Sequence, residues 1–168
     1  MQKDAAYWIQ HLQLTKHVEG GYYHELYKSA LVIPQKNLPA SFKGNRHIST
    51  SIYFLLEAGQ FSAFHRIASD EVWHFYAGDT LIVYELEKDG SLIEHRLGSV
   101  PEKEESFQCV VKSGHWFGAR LAPGSAYALV GCTVSPGFDF LEFELAEREV
   151  LCKLYPHHAE LIKMLTIS

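Results

Sequence analysis

Residues 64–78 read FHRIASDEVWHFYAG, and the side on which each of these side chains falls decides the fold. Successive side chains of a strand point to opposite faces. A strand starting near Phe61 therefore puts Phe61, Ala63, His65 and Ile67 on one face, and Ser62, Phe64 and Arg66 on the other. A polar turn at Ala68–Asp70 follows, with Arg66 and Asp70 able to pair across it. Glu71, Trp73 and Phe75 then share one face, and Val72, His74 and Tyr76 the other, until Gly78-Asp79 turns the chain again. In a barrel hairpin His65 and Glu71 both point inward near the same end. A glutamate among aromatic rings is costly unless it is hydrogen-bonded or ligated, and burial raises its pKa. His65 and Glu71 are therefore the first candidates for function.

Similar runs extend outward from this hairpin. From Gly20 to about Leu145 short apolar or alternating segments recur between turn signals at Glu57–Gln60, Ser113-Gly114, Pro123-Gly124 and Pro136-Gly137. This is the pattern of an all-β sandwich or barrel. In TLIVYELEKDGSLIEHRLG (80–98), Asp89-Gly90 predicts a hairpin with a primed turn, both central residues at positive φ. Near the N-terminus, Asp4 is placed to cap a short helix whose Ala5, Trp8, Ile9 and Leu12 share a face. The chain becomes helical again in AEREVLCKLYP and PHHAELIKML, with Pro156 between them.

The 168 residues suit one domain spanning 1–168. Net charge is −5, which argues against a broad nucleic-acid-binding face. No apolar run reaches the roughly 20 residues that span a bilayer. MQKDAAYWIQ lacks the layout of a signal peptide. Cys109, Cys132 and Cys152 are odd in number and scattered, which fits a reducing, cytoplasmic setting. Cys109 and Cys132 lie in apolar runs and read as buried small hydrophobes.

These residues resemble the first motif of the cupin superfamily, G-x5-H-x-H-x3–4-E-x6-G. Gly59, His65, Glu71 and Gly78 match it, while Ile67 stands where the second histidine belongs. Aligning the second motif, G-x5-P-x-G-x2-H-x3-N, on Gly114 puts Phe117 at its histidine. HVEGGYYHELY (17–27), SIYFLL (51–56), FHRIASDEVWHFYAG (64–78) and LVGCTVSPGFDFLEFEL (129–145) together are similar to the DUF985, or cupin 5, family. That resemblance implies a double-stranded β-helix, a jelly-roll barrel with short N- and C-terminal helices, commonly paired as a homodimer around an internal pocket. Where relatives often carry arginine after the EGGYY segment, this chain has His24.

Three functional readings follow. The first is a small-molecule-binding cupin whose pocket holds a carbohydrate-like or other polar metabolite. His65 and Glu71 would lie at its centre, with Ser49, Ser51, Tyr53, Trp73, Phe117 and Tyr22 around the ligand. The second is metal-independent acid–base chemistry similar to that of RmlC-type sugar epimerases. His65 would be the base, and one of Tyr22, Tyr23, Tyr27 or Tyr53 the acid. EGGYYHELY is similar to their early RGxFxExY segment, with Glu19 in the arginine's place. The third is a divalent transition metal on His65 and Glu71, completed by His47, His74 or His115, because such sites want three or more protein ligands. The first reading needs no cofactor. Apolar outer positions such as Val72 and Tyr76 suit the covered face of a homodimer, and neither nucleic acid nor membrane is expected as a partner.

Overall fold

Alternation and turn chemistry produce thirteen strands and three short helices in the computed structural model, which describes residues 3–167. In chain order they are α1 (Ala5–His11), β1 (Thr15–Lys16), β2 (Tyr22–Lys28), β3 (Val32–Ile33), β4 (Arg46–His47), β5 (Thr50–Glu57), β6 (Phe61–Arg66), β7 (Asp70–Gly78), β8 (Leu81–Leu86), β9 (Leu92–Leu97), β10 (Gln108–Val111), β11 (Trp116–Leu121), β12 (Tyr127–Ser135), β13 (Glu144–Leu145), α2 (Arg148–Leu154) and α3 (Ala159–Met164). One antiparallel sheet has the order β1-β2-β5-β12-β7-β10 and a second the order β13-β6-β11-β8-β9, with β3-β4 as a separate ribbon. From β5 to β8 successive strands alternate between the two larger sheets, giving the jelly roll expected from the sequence.

The core between these sheets holds Phe54, Ile67, Trp73, Val83, Val111, Phe117, Val130 and Val134. The outer face of the β8 sheet is also buried. Ile82, Tyr84 and Leu86 pack there with Leu151 of α2 and Ile162 of α3. On the other sheet α1 lies over Leu55 and Leu129, bringing Trp8, Ile9 and Leu12 against Tyr22 and Tyr53. Asp4 caps α1 as expected, accepting from the Tyr7 N–H at 2.8 Å.

Two local expectations are corrected. At Asp89-Gly90 only Gly90 has positive φ, at 94°. The Gly90 N–H bonds the Glu87 carbonyl and the Glu87 N–H bonds that of Ser91, which makes a longer loop ending in a left-handed glycine rather than a two-residue primed turn. The Asp89 carboxylate accepts from the Ser91 N–H and hydroxyl, so its residue type serves the loop by a side-chain route. Arg66 and Asp70 do not pair. Arg66 reaches Glu144 at 2.7 Å on the neighbouring β13, and Asp70 accepts from the Ser113 N–H and lies 3.6 Å from Lys112.

The most consequential departure is a bulge in β6. Phe117 of β11 sits opposite His65, but Ala119 sits opposite Ser62, so three steps on β6 face two on β11. The extra residue changes the phase. Phe61 and Phe64 both join the outer cluster under the C-terminal helices, whereas Ser62 and His65 both turn to the interior side. The bulged backbone groups find partners elsewhere, as buried amides must. The Ala63 N–H bonds the Glu19 carbonyl, the Phe64 N–H that of Leu165, and the Phe64 carbonyl accepts from Ala146. Opposite the bulge stands Gly118, where a Cβ would lie 2.9 Å from the Ser62 carbonyl oxygen.

The β1–β2 turn presses on the same place. Gly20 has φ 112°, and a Cβ there would lie 2.0 Å from the Phe61 carbonyl oxygen. A side chain must therefore push the turn away from β6 while straining its backbone. Gly20→Ala is expected to destabilise the protein by about 2 kcal/mol or more, read from urea unfolding. A substitution within about 0.5 kcal/mol of the parent would show that the turn is free to shift.

Candidate functional site

The turn delivers Glu19 to the mouth of the jelly roll, and β6 and β7 supply His65 and Glu71. These three line one cavity of about 330 Å³ with His17, Tyr23, Glu25, Lys28, Thr50, Ile52, Phe54, Cys132, Val134, Phe138, Asp139 and Phe140. His65, Glu71 and Glu19 are 3%, 7% and 7% exposed, so they form its floor. Phe138 and Phe140 stand at its rim, edge-on with centroids 4.9 Å apart, and Phe143 packs edge-on to both at 6.1 and 5.6 Å.

The hydrogen bonds define the protons of the floor. His65 Nδ1 is 2.7 Å from the Ala63 carbonyl, so Nδ1 carries the hydrogen and donates it. Nε2 faces Glu19 Oε2 at 3.2 Å, and Glu19 Oε1 accepts from the Ser62 hydroxyl at 2.7 Å. Burial pushes the His65 pKa down to about 4, with the Ala63 bond opposing. Burial raises that of Glu19, partly offset by His17 and Ser62. Burial thus favours the neutral imidazole and the protonated form of Glu19, whose O–H is placed to donate to Nε2 when it is present. His17 is also depressed by burial, against the raising effect of Glu19, and its Nδ1 accepts the Glu19 backbone N–H at 3.3 Å. Glu71 rises to about 8, first through burial and then through the neighbouring Glu19 carboxylate, while the Cys132 thiol pulls the other way. Burial thus favours the uncharged form of every ionisable group on the floor.

The residues proposed from sequence separate into three groups. His65 and Glu71 lie together in the cavity. Trp73 and Phe117 belong to the core beneath it, where the Phe117 ring supports His65 at a centroid distance of 4.1 Å. Tyr22, Ser49, Ser51 and Tyr53 are not among the lining residues. Tyr22 and Tyr53 pack outward beneath α1, and Ser49 bonds the Val134 carbonyl and the Ser135 hydroxyl. The lining positions are one residue out of phase with those expected: Tyr23 rather than Tyr22, and Thr50, Ile52 and Phe54 rather than Ser49, Ser51 and Tyr53. Of the tyrosines weighed as acids, Tyr23 alone lines the cavity.

Glu19 and Asp139 were missed as site residues. Asp139 is both at the rim and a cap, accepting from the Leu141 N–H. Its loop is tied down by Glu142, which pairs with buried Arg46 and accepts from the Lys43 N–H, and by the Phe138 N–H, which donates to Thr50 Oγ1. The readable signal for Glu19 was a carboxylate directly before two glycines, at a turn able to approach another strand closely.

The donor set does not suit a cupin metal. Ile67 and Phe117, at two of the ligand positions, are core residues. The other histidines weighed are engaged elsewhere: His74 with Thr133, His47 with the Ser29 carbonyl, and His115 with Glu85. Among the described residues no three His, Cys, Asp or Glu side chains are arranged to hold a metal ion. Burial pushes the Cys109 thiol up to about 12 and Cys132 well above its ordinary value, so neither is a ready nucleophile.

Fold and site define a cupin-type jelly roll with an acidic, aromatic pocket. Residues 6–146 match the cupin superfamily family DUF985, and the chain belongs to that family. It is similar to a hypothetical protein from Leishmania major, at 35% identity over 98% of this chain and 99% of that one, TM-score 0.89. It is equally similar in shape to a Shewanella oneidensis protein, at 38% identity over 99% of each chain, TM-score 0.88. Oxalate decarboxylase from Bacillus subtilis shares the fold, with 16% identity over 89% of this chain and 36% of that one, TM-score 0.53. No curated protein matches the sequence. Among the described residues no helix is long and apolar enough to cross a membrane.

The buried acids and bases act oppositely on stability. His65 binds its proton less readily folded, at about 4, than unfolded, near 6.5, so stability is lost as pH falls through that interval. Glu71 binds its proton more readily folded, at about 8 against 4.5. Its contribution is full below about 4.5 and is lost as pH rises toward 8. Thermal melts should show a loss of roughly 1–2 kcal/mol between pH 6.5 and 8, absent in Glu71→Gln. Parallel curves for the two proteins would place Glu71 in a wetter setting.

Proposed function

We propose that this protein binds a small polar metabolite of carbohydrate-like character in the cavity above His65. The observation that carries the reading is the joining of Glu19, His65 and Glu71 in one floor beneath aromatic walls. Carboxyl and imidazole groups fix hydroxyls by hydrogen bonds, while rings such as Phe138 and Tyr23 cover the apolar faces of a ring-shaped ligand. A cavity of about 330 Å³ suits a monosaccharide-sized molecule. Among the described residues Lys28 is the one lysine or arginine that lines it, so a nucleoside diphosphate finds little counter-charge.

Acid–base chemistry is the second reading, favoured by the neutral His65 imidazole and by Tyr23 in the same cavity. His65 would move a proton next to a carbonyl, with Glu19 holding the imidazole in one tautomer. Pairing with a second copy through the outer face of β7 and β10, where Tyr76 and Val110 are exposed, completes the proposal and is checked by sedimentation.

A thermal-shift screen of sugars, polyols and keto sugars is the direct experiment. A hit should lose its stabilisation in His65→Ala and Glu71→Gln while both variants keep a cooperative melt. Unchanged binding in both variants would remove the assignment. For the catalytic reading, deuterium from solvent should enter a keto-sugar ligand in the parent and not in His65→Ala.

A further inference from the structure

The cavity's charges are unevenly arranged, and the unevenness has a sign. Among the described residues four carboxyl groups line it, Glu19, Glu25, Glu71 and Asp139, against the single ammonium of Lys28. Lys28 enters at the end of β2, where a bulge between Glu25 and Tyr27 turns it rather than Tyr27 to the cavity side. The floor holds two of the carboxyls, Glu19 and Glu71, and the His65 imidazole. His65 is fixed with Nδ1 as donor to Ala63, which leaves Nε2 as an acceptor. The Glu19 carboxyl has Ser62, His65 and His17 beside it, whereas the Glu71 carboxyl has the Cys132 thiol, a weak donor. Glu71 is more than nine-tenths buried and lines the cavity with acceptor capacity to spare.

The walls add a second, independent preference. Tyr23, Phe54, Phe138 and Phe140 surround the space above the floor. Aromatic faces attract an organic cation and give no comparable help to an anion. Carboxyls below and rings around are complementary to a protonated amine, whose N–H groups need acceptors and whose carbon body needs apolar contact.

We infer that the ligand carries a protonated amine, which seats on Glu71 and Glu19 while its carbon or hydroxylated body lies against the aromatic walls. This rests on the reading of the cavity as a ligand site and adds the charge of the ligand. Glu71 is faced by Glu19 from the β1–β2 turn, His65 from β6, Cys132 from β12 and Cys109 from β10. No lysine or arginine is among these floor groups to satisfy its charge. An incoming ammonium supplies that charge, so binding displaces the carboxyl proton: the O–H bond of Glu71 breaks, the proton leaves to buffer, and the carboxylate pairs with the ammonium.

Calorimetric titration of the full, untagged chain with a matched series tests this: cyclohexylamine, cyclohexanol and cyclohexanecarboxylate, with glucose as a polyhydroxylated neutral. The amine should bind about tenfold or more tighter than the alcohol, and the carboxylate weakest. Its heat should change with the ionisation enthalpy of the buffer. Its affinity should rise by up to about tenfold per pH unit below pH 8, a range in which an aliphatic amine stays protonated. Glu71→Gln should lose both the preference for amine and the buffer dependence. Asp139→Asn at the rim is the second variant should Glu71→Gln fold poorly, and should weaken the amine and spare the alcohol. Preference for alcohol, glucose or carboxylate overturns the inference and leaves the proposed binding function standing. Binding of none of the four overturns the inference, and the broader metabolite screen then decides the function separately.

Discussion

One buried contact organises this end of the molecule: the carboxyl of Glu19 against Nε2 of His65. A carboxyl is removed from water at heavy cost unless every polar atom is engaged. Here the Ser62 hydroxyl, the His65 ring and the Glu19 main chain all take part. Ser62 and His65 would face opposite sides of a regular strand, and the bulge in β6 is what lets both reach the same carboxyl. Gly118 leaves space for that bulge, and Gly20 lets the turn that carries Glu19 approach Phe61. Packing, backbone conformation and site chemistry are therefore one arrangement.

Much of the frame was legible in the sequence because its signals are local. Turn residues, alternation in 71–76 and the apolar spacing of the terminal helices each arise within a few residues. The inward pairing of His65 and Glu71 followed from them. The phase of β2 and β5 did not, for a physical reason. In TSIYFLLE both faces are apolar, since Phe54 and Leu56 face the core while Tyr53 and Leu55 meet the helix laid over the outside. Alternation identifies the buried face only when the other face meets water. Phe61–Ala63 misled for a different reason, because a bulge is enforced by amides and carbonyls from Glu19, Ala146 and Leu165 that are distant in sequence. Glu19 itself gave a weak signal, as nothing near it in the chain requires a partner at residues 62 and 65.

Ile67 and Phe117 mark where this chain departs from the cupin motifs. At positions where the cupin motifs place imidazoles, these side chains join the core, and Phe117 supports the ring of His65 from below. Removing polar groups there dries the floor, and dryness is what depresses His65 and raises Glu71. With Ile67 and Phe117 at those positions the corner is apolar and lacks two of the motif's ligating groups. A second polar cluster stays outside this chemistry. Glu85 accepts from His95, His115 and the Lys112 N–H, tying the loop before β11 to β8 and β9.

The β1–β2 turn also sets the order in which the pocket can come into being. Its contact with Ser62 spans 43 positions of sequence, and β2 must first find β5 across the intervening chain. Local hairpins such as β8–β9 have a much shorter loop to close and can form before it. A nascent or partly unfolded chain with those hairpins in place still lacks its floor carboxyl. The pocket is thereby complete only in chains whose first and middle segments have already met.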